Sequence, residues 1–281
     1  MKGLYISLGS GAGFLLLVFL VYLLLIMPRF SKREEAKKFA IHKYAHRGLH
    51  GGGVAENSMT AFSLAVEGGF GIELDIRLTR DGQLVVFHDA TLDRVCGVSG
   101  KVNEFDYGKL CEMKLLGTDD TIPLFSDVLS LVDGKVPLLI ELKEDAGGYL
   151  VTEKAIELLS SYSGDFLIES FNPMSLRIVK KKRPDVVRGF LAANYMAEKK
   201  RRKPLFFFLQ LFVFNCMCRP DFISYEHTGY KNFGFWFLKR VFKPIAFAWT
   251  VSSASDEDAA YSHGFDSVIF EGYETENKKE N

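Results

Sequence analysis

The chain has 281 residues, 48% of them hydrophobic, with 35 basic and 35 acidic side chains. That length allows one large domain or two small ones, and the balanced charge excludes a bulk electrostatic pull toward nucleic acid. Four scattered cysteines, Cys96, Cys111, Cys216 and Cys218, are too few for a disulfide scaffold and read as plain thiols.

From Leu4 to Met27 there is no charged residue, and the stretch is largely aliphatic and aromatic. As a helix it would reach about 36 Å, enough for a bilayer core of roughly 30 Å. No small-residue cleavage site follows, so a retained single-pass anchor over residues 1–30 is expected rather than a signal peptide. Arg29, Lys32, Arg33, Lys37 and Lys38 follow it, which predicts a cell-membrane protein with its body in the cytoplasm. Residues 31–40 read as a charged linker, 41–275 as the folded body and 276–281 as a polar tail.

Within the body, apolar strand-like runs alternate with helical stretches. Strands are expected at 41–46, 71–79, 136–143, 165–171, 186–192, 221–227, 245–251 and 267–272, and 83–89 reads as a hairpin return after the turn "RDG". Eight strands separated by helices predict a (β/α)8 TIM barrel preceded by one N-terminal transmembrane helix. An open doubly wound sheet is the alternative, but "GLHGGGVAEN" lacks the G-x-G-x-x-G spacing.

In such a barrel the active site gathers at the C-terminal strand ends. Those ends are ionisable here: His46 and Arg47, Glu73 and Asp75, His88 and Asp89, Glu141 and Lys143. Residues two apart on a strand share a face, so Glu73 and Asp75 aim together with Leu74 opposed, and Glu141 and Lys143 repeat the pattern. Converging carboxylates resist burial unless a cation neutralises them, and oxygen ligands favour Mg²⁺ or Ca²⁺. His46 and His88 can then serve as acid and base, while Arg47 and Lys143 suit an anionic phosphate. The glycines after Arg47 let the chain turn closely past such a ligand.

Taken together, "AHRG", "ENS", "ELDIRLTRDGQLVVFHD" and "PLLIELK", with "SFNP" and "WTV" later, resemble the glycerophosphodiester phosphodiesterase family over roughly residues 41–272. The resemblance implies a (β/α)8 barrel and a metal held by Glu73, Asp75 and Glu141. It implies His46 and His88 as the acid–base pair and Arg47 and Lys143 on the phosphate. Glu56 would join or support the metal site, and Phe171 and Trp249 would line the substrate pocket. The implied substrate is a phosphodiester of glycerol or lysolipid type. A lyase-type phospholipase releasing a cyclic phosphate, and a non-catalytic membrane-bound binding module, are the alternatives. Ser58 stands where the family more often has threonine, and the last strand ends "VIFEGY" where T-D-x-P is common.

Two further stretches, "KKRRKPLFFFLQLFVFNCMC" (199–218) and "NFGFWFLKRVFK" (232–243), mix aromatics with Lys and Arg. They read either as ordinary barrel helices or as interfacial segments that meet anionic membrane lipids.

Overall fold

The computed structural model describes residues 2–144, 148–197 and 203–276, with side chains from residue 11 onward. Nine strands form one sheet: β1 Tyr44–His46, β2 Gly71–Leu78, β3 Leu84–Val86, β4 Leu138–Leu142, β5 Phe166–Ser170, β6 Arg188–Ala192, β7 Phe222–Glu226, β8 Ile245–Val251 and β9 Ser267–Phe270. Their order is β1-β9-β8-β7-β6-β5-β4-β2-β3, and a β1–β2 pairing closes the ring. All ring pairings are parallel; β3 alone runs antiparallel, with Ile76 opposite Val86 and Leu78 opposite Leu84. The structure is therefore an eight-stranded parallel barrel with one hairpin return, and helices such as Met59–Glu67, Phe125–Val132 and Pro173–Lys182 lie between its strands in the chain.

The period-two pattern sorts the side chains into layers. Ile72, Leu74, Ile76, Leu138, Ile140 and Ile168 join the large apolar cluster shared with the helices. Leu139, Leu167, Phe222, Phe247 and Ile269 form a second cluster with Tyr44. On β2 and β4 the residues that alternate with the helix-facing ones are Glu73, Asp75 and Glu141, so the acids share a face with the inner layer.

The residues read as a linker are not one. Arg33–Phe39 is a helix whose Ala36 and Phe39 are buried in the inner cluster, where Tyr44 Oη donates to the Phe39 carbonyl at 3.0 Å. Two apolar residues three apart put one greasy stripe on an otherwise charged helix.

The N-terminal segment also differs from expectation. Lys2–Ile26 is helical, but among the described residues no helix is long and apolar enough to cross a membrane. The span expected over residues 4–27 is thus not borne out there, and the side chains of its first turns lie outside the described residues. Its last turn belongs to the barrel. Ile26 is fully buried; Asn215 Nδ2 donates to the Ile26 carbonyl at 2.9 Å, and Arg219 donates to the carbonyls of Leu24 and Met27, both at 2.8 Å. A cation on the exposed carbonyls of a helix C-terminus satisfies the groups that the helix leaves unpaired. Arg29 adds a two-pronged ion pair to Asp221, at 2.5 Å on each prong. All four cysteines are free thiols.

Candidate active site

The register delivers the acids to one place. Parallel pairing sets His46 beside Glu73, Asp75 beside Glu141, and Glu141 beside Glu169. Glu73, Asp75 and Glu141 are each at most 6% exposed, and oxygens from the three lie within 4.8 Å of one another. Burial, then the Asp75 and Glu141 charges, pushes the Glu73 carboxyl well above the usual range. Burial acts on Asp75 in the same sense, but Lys143, His88 and Arg47 outweigh it and hold that carboxylate ionised. Burial likewise raises Glu141, against the pull of Lys143.

Two cations sit among these acids. Lys143 Nζ lies 2.7 Å from Glu141 and 3.1 Å from Asp75; burial opposes its charge, but both carboxylates raise its pKa. Arg47 adopts a left-handed φ of 55°, donates its backbone N–H to Glu73 at 3.0 Å, and reaches Glu56 at 2.7 Å. Among the described residues Asp75 Oδ1 accepts no hydrogen bond, with Lys143 Nζ 3.1 Å away as its ion-pair partner. A compact set of hard oxygen donors with such an orphan suits a divalent cation.

The other expected residues converge as well. His46, Arg47, Glu73, His88, Glu141 and Lys143 line one small cavity together with Phe171 and Trp249. Those two rings meet edge to face with centroids 5.7 Å apart, and the Trp249 Nε1–H finds no hydrogen-bond partner among the described residues. Burial lowers both histidine pKa values, favouring neutral imidazoles that can accept or pass a proton. Glu56 stands outside the carboxylate triad. It accepts from Arg47 and from both terminal nitrogens of Arg94, each at 2.7 Å, so its contact with the site runs through the Arg47 guanidinium. Ser58 caps helix Met59–Glu67, accepting from the Ala61 N–H at 3.1 Å, a role either hydroxyl residue fills.

Sequence reading assigned no role to five partners. Asn57 Nδ2 donates to Asp75 at 3.0 Å, and Asp89 meets His88 Nδ1 at 2.6 Å. Arg94 bridges Glu56 and Asp89. Glu271 meets His46 Nδ1 at 2.6 Å. Glu169 is 1% exposed, accepts from Ser224, and lines the cavity. Glu169 carries a legible signal, an acid in the same register as Glu141 in the apolar run "FLIES". Arg94 and Glu271 carry none, because only the closed sheet and the loop packing bring them in.

Burial, then the neighbouring Glu141 and Asp75 charges, pushes Glu169 up to about 8, although the Ser224 hydroxyl and Lys143 act the other way. The fold therefore keeps a proton that the unfolded chain releases near 4.5, and stability falls as pH rises from there to about 8. Glu169→Gln should flatten that fall. Chemical denaturation in chelator, across this window for both proteins, measures it; parallel slopes would refute it.

A parallel barrel whose C-terminal mouth gathers buried acids, two histidines and two cations defines a barrel enzyme equipped for acid–base chemistry on an anionic substrate. The sequence profile of the "Glycerophosphoryl diester phosphodiesterase family" matches residues 46–214. A glycerophosphodiester phosphodiesterase of Caldanaerobacter subterraneus is 33% identical over 246 residues, covering 82% of this chain and 94% of that protein. A lysophospholipase D of Rattus norvegicus is 33% identical over 159 residues, covering 52% of this chain and 49% of its own length. An Oleispira antarctica phosphodiesterase, solved with the product sn-glycerol-3-phosphate, shares the fold at a TM-score of 0.68 and 21% identity, covering 82% of this chain and 92% of the other. The chain belongs to the glycerophosphoryl diester phosphodiesterase family.

Proposed function

We propose that the protein cleaves glycerophosphodiesters, including lipid-derived ones of the lysophospholipid type, with Mg²⁺ or Ca²⁺ on Glu73, Asp75 and Glu141. The observation that carries this is the buried carboxylate triad, of which Glu73 and Glu141 line one cavity with His46 and His88. The printed activities of the Caldanaerobacter and rat relatives, and the product bound to the Oleispira enzyme, support the substrate class. When bound, the divalent cation supplies positive charge to the phosphate oxygens. Arg47 and Lys143 add cationic donors for the same oxygens, and Phe171 and Trp249 hold the glycerol or apolar part. One histidine accepts the proton of the nucleophile, either water or the substrate's neighbouring hydroxyl, and the other returns a proton to the departing alcohol; where the hydroxyl attacks, water must then open the cyclic phosphate to complete hydrolysis.

We further propose that the barrel works at a lipid surface, held by its N-terminal segment on the cytoplasmic side. Phe14 to Val21 of that helix, Leu205, Phe207 and Phe208 of helix Pro204–Gln210, and Phe233 and Trp236 of helix Phe233–Phe242 are all exposed. These helices are neighbours: Phe19 and Tyr22 lie against the Phe237 ring, and Tyr22 Oη donates to the Leu211 carbonyl at 3.3 Å. A shared apolar face of this kind marks a lipid or protein contact. Of the basic run 199–203 only Lys203 is among the described residues, so its expected contact with anionic headgroups lies outside them.

The test is turnover of glycerophosphocholine and lysophosphatidylcholine by the full chain in chelator, then with Mg²⁺ or Ca²⁺ restored, with products read by phosphorus NMR. Activity that survives chelation would overturn the cation assignment, and a cyclic phosphate as end product would replace hydrolysis with the lyase reaction. Flotation with anionic vesicles, weakened in a Phe207→Asp, Trp236→Asp variant, is expected; a protein that stays at the bottom would remove the lipid surface from the proposal.

A further inference from the structure

We infer that Glu271, at the end of the eighth barrel strand, is a positioning residue that locks the ring and tautomer of His46. The inference rests on the reading of His46 as a proton-transfer group. The β1–β9 ladder pairs Tyr44 with Ile269 and Ala45 with Phe270, so the next residues along, His46 and Glu271, leave the sheet side by side. There His46 Nδ1 and Glu271 Oε2 stand 2.6 Å apart. The Glu271 backbone is itself fixed, its N–H donating to the Val251 carbonyl at 3.0 Å.

A second ring stands near the same carboxylate oxygen without a hydrogen bond to it. His50 Nε2 lies 3.5 Å from the same Glu271 oxygen. His50 is placed by the glycine turn: its N–H donates to the Gly48 carbonyl at 3.0 Å, and the Gly48 N–H to the Ala45 carbonyl at 3.1 Å. Gly48 has φ +80°, and a Cβ there would stand 2.8 Å from the Ala61 Cβ, so the turn that presents His50 needs glycine.

The chemical consequence is directional. An ionised carboxylate is an acceptor only, so the proton on the His46 ring resides on Nδ1 and leaves Nε2 for chemistry. That Nε2 is the nitrogen on the triad's side, 4.0 Å from Glu73 Oε2. Asp89 acts in the same way on His88 Nδ1 at 2.6 Å, so each histidine is backed by one carboxylate. Asp89 is the chain neighbour of its histidine, whereas Glu271 comes from the far end of the sequence. Without Glu271 the His46 ring could flip or change tautomer, and Nε2 would face the cavity for only part of the time.

The test compares the full-length wild type with Glu271→Ala, Glu271→Gln, Glu271→Asp and His46→Ala. Loss of a group that orients another through a hydrogen bond is expected to cost about 10–100-fold. Glu271→Ala and Glu271→Gln should lose that much in kcat with KM little changed, and Glu271→Asp should recover part of it. Proton NMR gives a reading independent of turnover: a downfield Nδ1–H resonance, assigned by its loss in His46→Ala, should vanish in Glu271→Ala while Mn²⁺ binding at the triad persists. A Glu271→Ala protein with wild-type kcat, or one that keeps the resonance, would overturn the inference, as would Glu271→Asp no better than alanine. An inactive His46→Ala beside an active Glu271→Ala defeats only the positioning role. An active His46→Ala defeats the reading of His46 and this inference with it.

Discussion

Replacing His46 or His88 with alanine is expected to lower kcat by about two to four orders of magnitude. Both rings line the cavity that holds the acids, and burial keeps both predominantly neutral near pH 7. Each presents one nitrogen to a carboxylate, Glu271 or Asp89. His50 is the third histidine near the mouth, but it lies against Glu271 on a glycine turn and does not line the cavity. Neither loss therefore has a ready substitute. The rings are partly exposed, so the variants should fold, and a thermal midpoint close to wild type serves as the control. Steady-state turnover of glycerophosphocholine at saturating Mg²⁺ reads the effect. Either variant within tenfold of wild type would remove that histidine from proton transfer.

Glu73→Gln should separate activity from stability. The carboxyl is 3% exposed and its pKa is pushed up by burial, then by Asp75 and Glu141. Raised above its unfolded value, it weakens the fold as pH climbs past the ordinary glutamate range, because ionisation inside the cluster is penalised. Glutamine cannot ionise, has nearly the same shape, and still accepts the Arg47 N–H that Glu73 now receives at 3.0 Å. The metal-free variant should therefore melt higher than the metal-free wild type at neutral pH. The same change removes one of the three donors proposed for a cation, whose charge would contribute several kcal/mol to a phosphoryl transition state. Turnover should fall by about 100–1,000-fold. Calorimetry in chelator and kinetics with Mg²⁺ restored measure the two effects. A variant that melts lower without metal and still turns over would show that Glu73 is a structural acid.

The same acids show what was legible before any fold was known. Glu73, Asp75 and Glu141 could be grouped from sequence because a strand repeats every two residues, and an acid in phase with buried aliphatics has few places to go. His46, Arg47 and Lys143 were legible as strand-end residues, since chain polarity in a parallel barrel sends every strand end to one mouth, and His88 as the end of a hairpin return that runs antiparallel back beside Asp75.

What depended on tertiary structure is of a different kind. Closure of the ring places residue 271 beside residue 46 across the β1–β9 ladder, and no local pattern spans that separation. Loop packing brings Arg94 onto Glu56, the acid expected to join or support the metal site, which also pairs with Arg47. The charged stretch before the barrel looked like a tether because its two apolar residues are sparse; only a floor with a vacancy for Ala36 and Phe39 makes it a helix. Periodicity and chain polarity are properties of a segment, so the sequence carries them alone. Which carboxylate backs which histidine is a property of distances between segments, and only the closed barrel decides it.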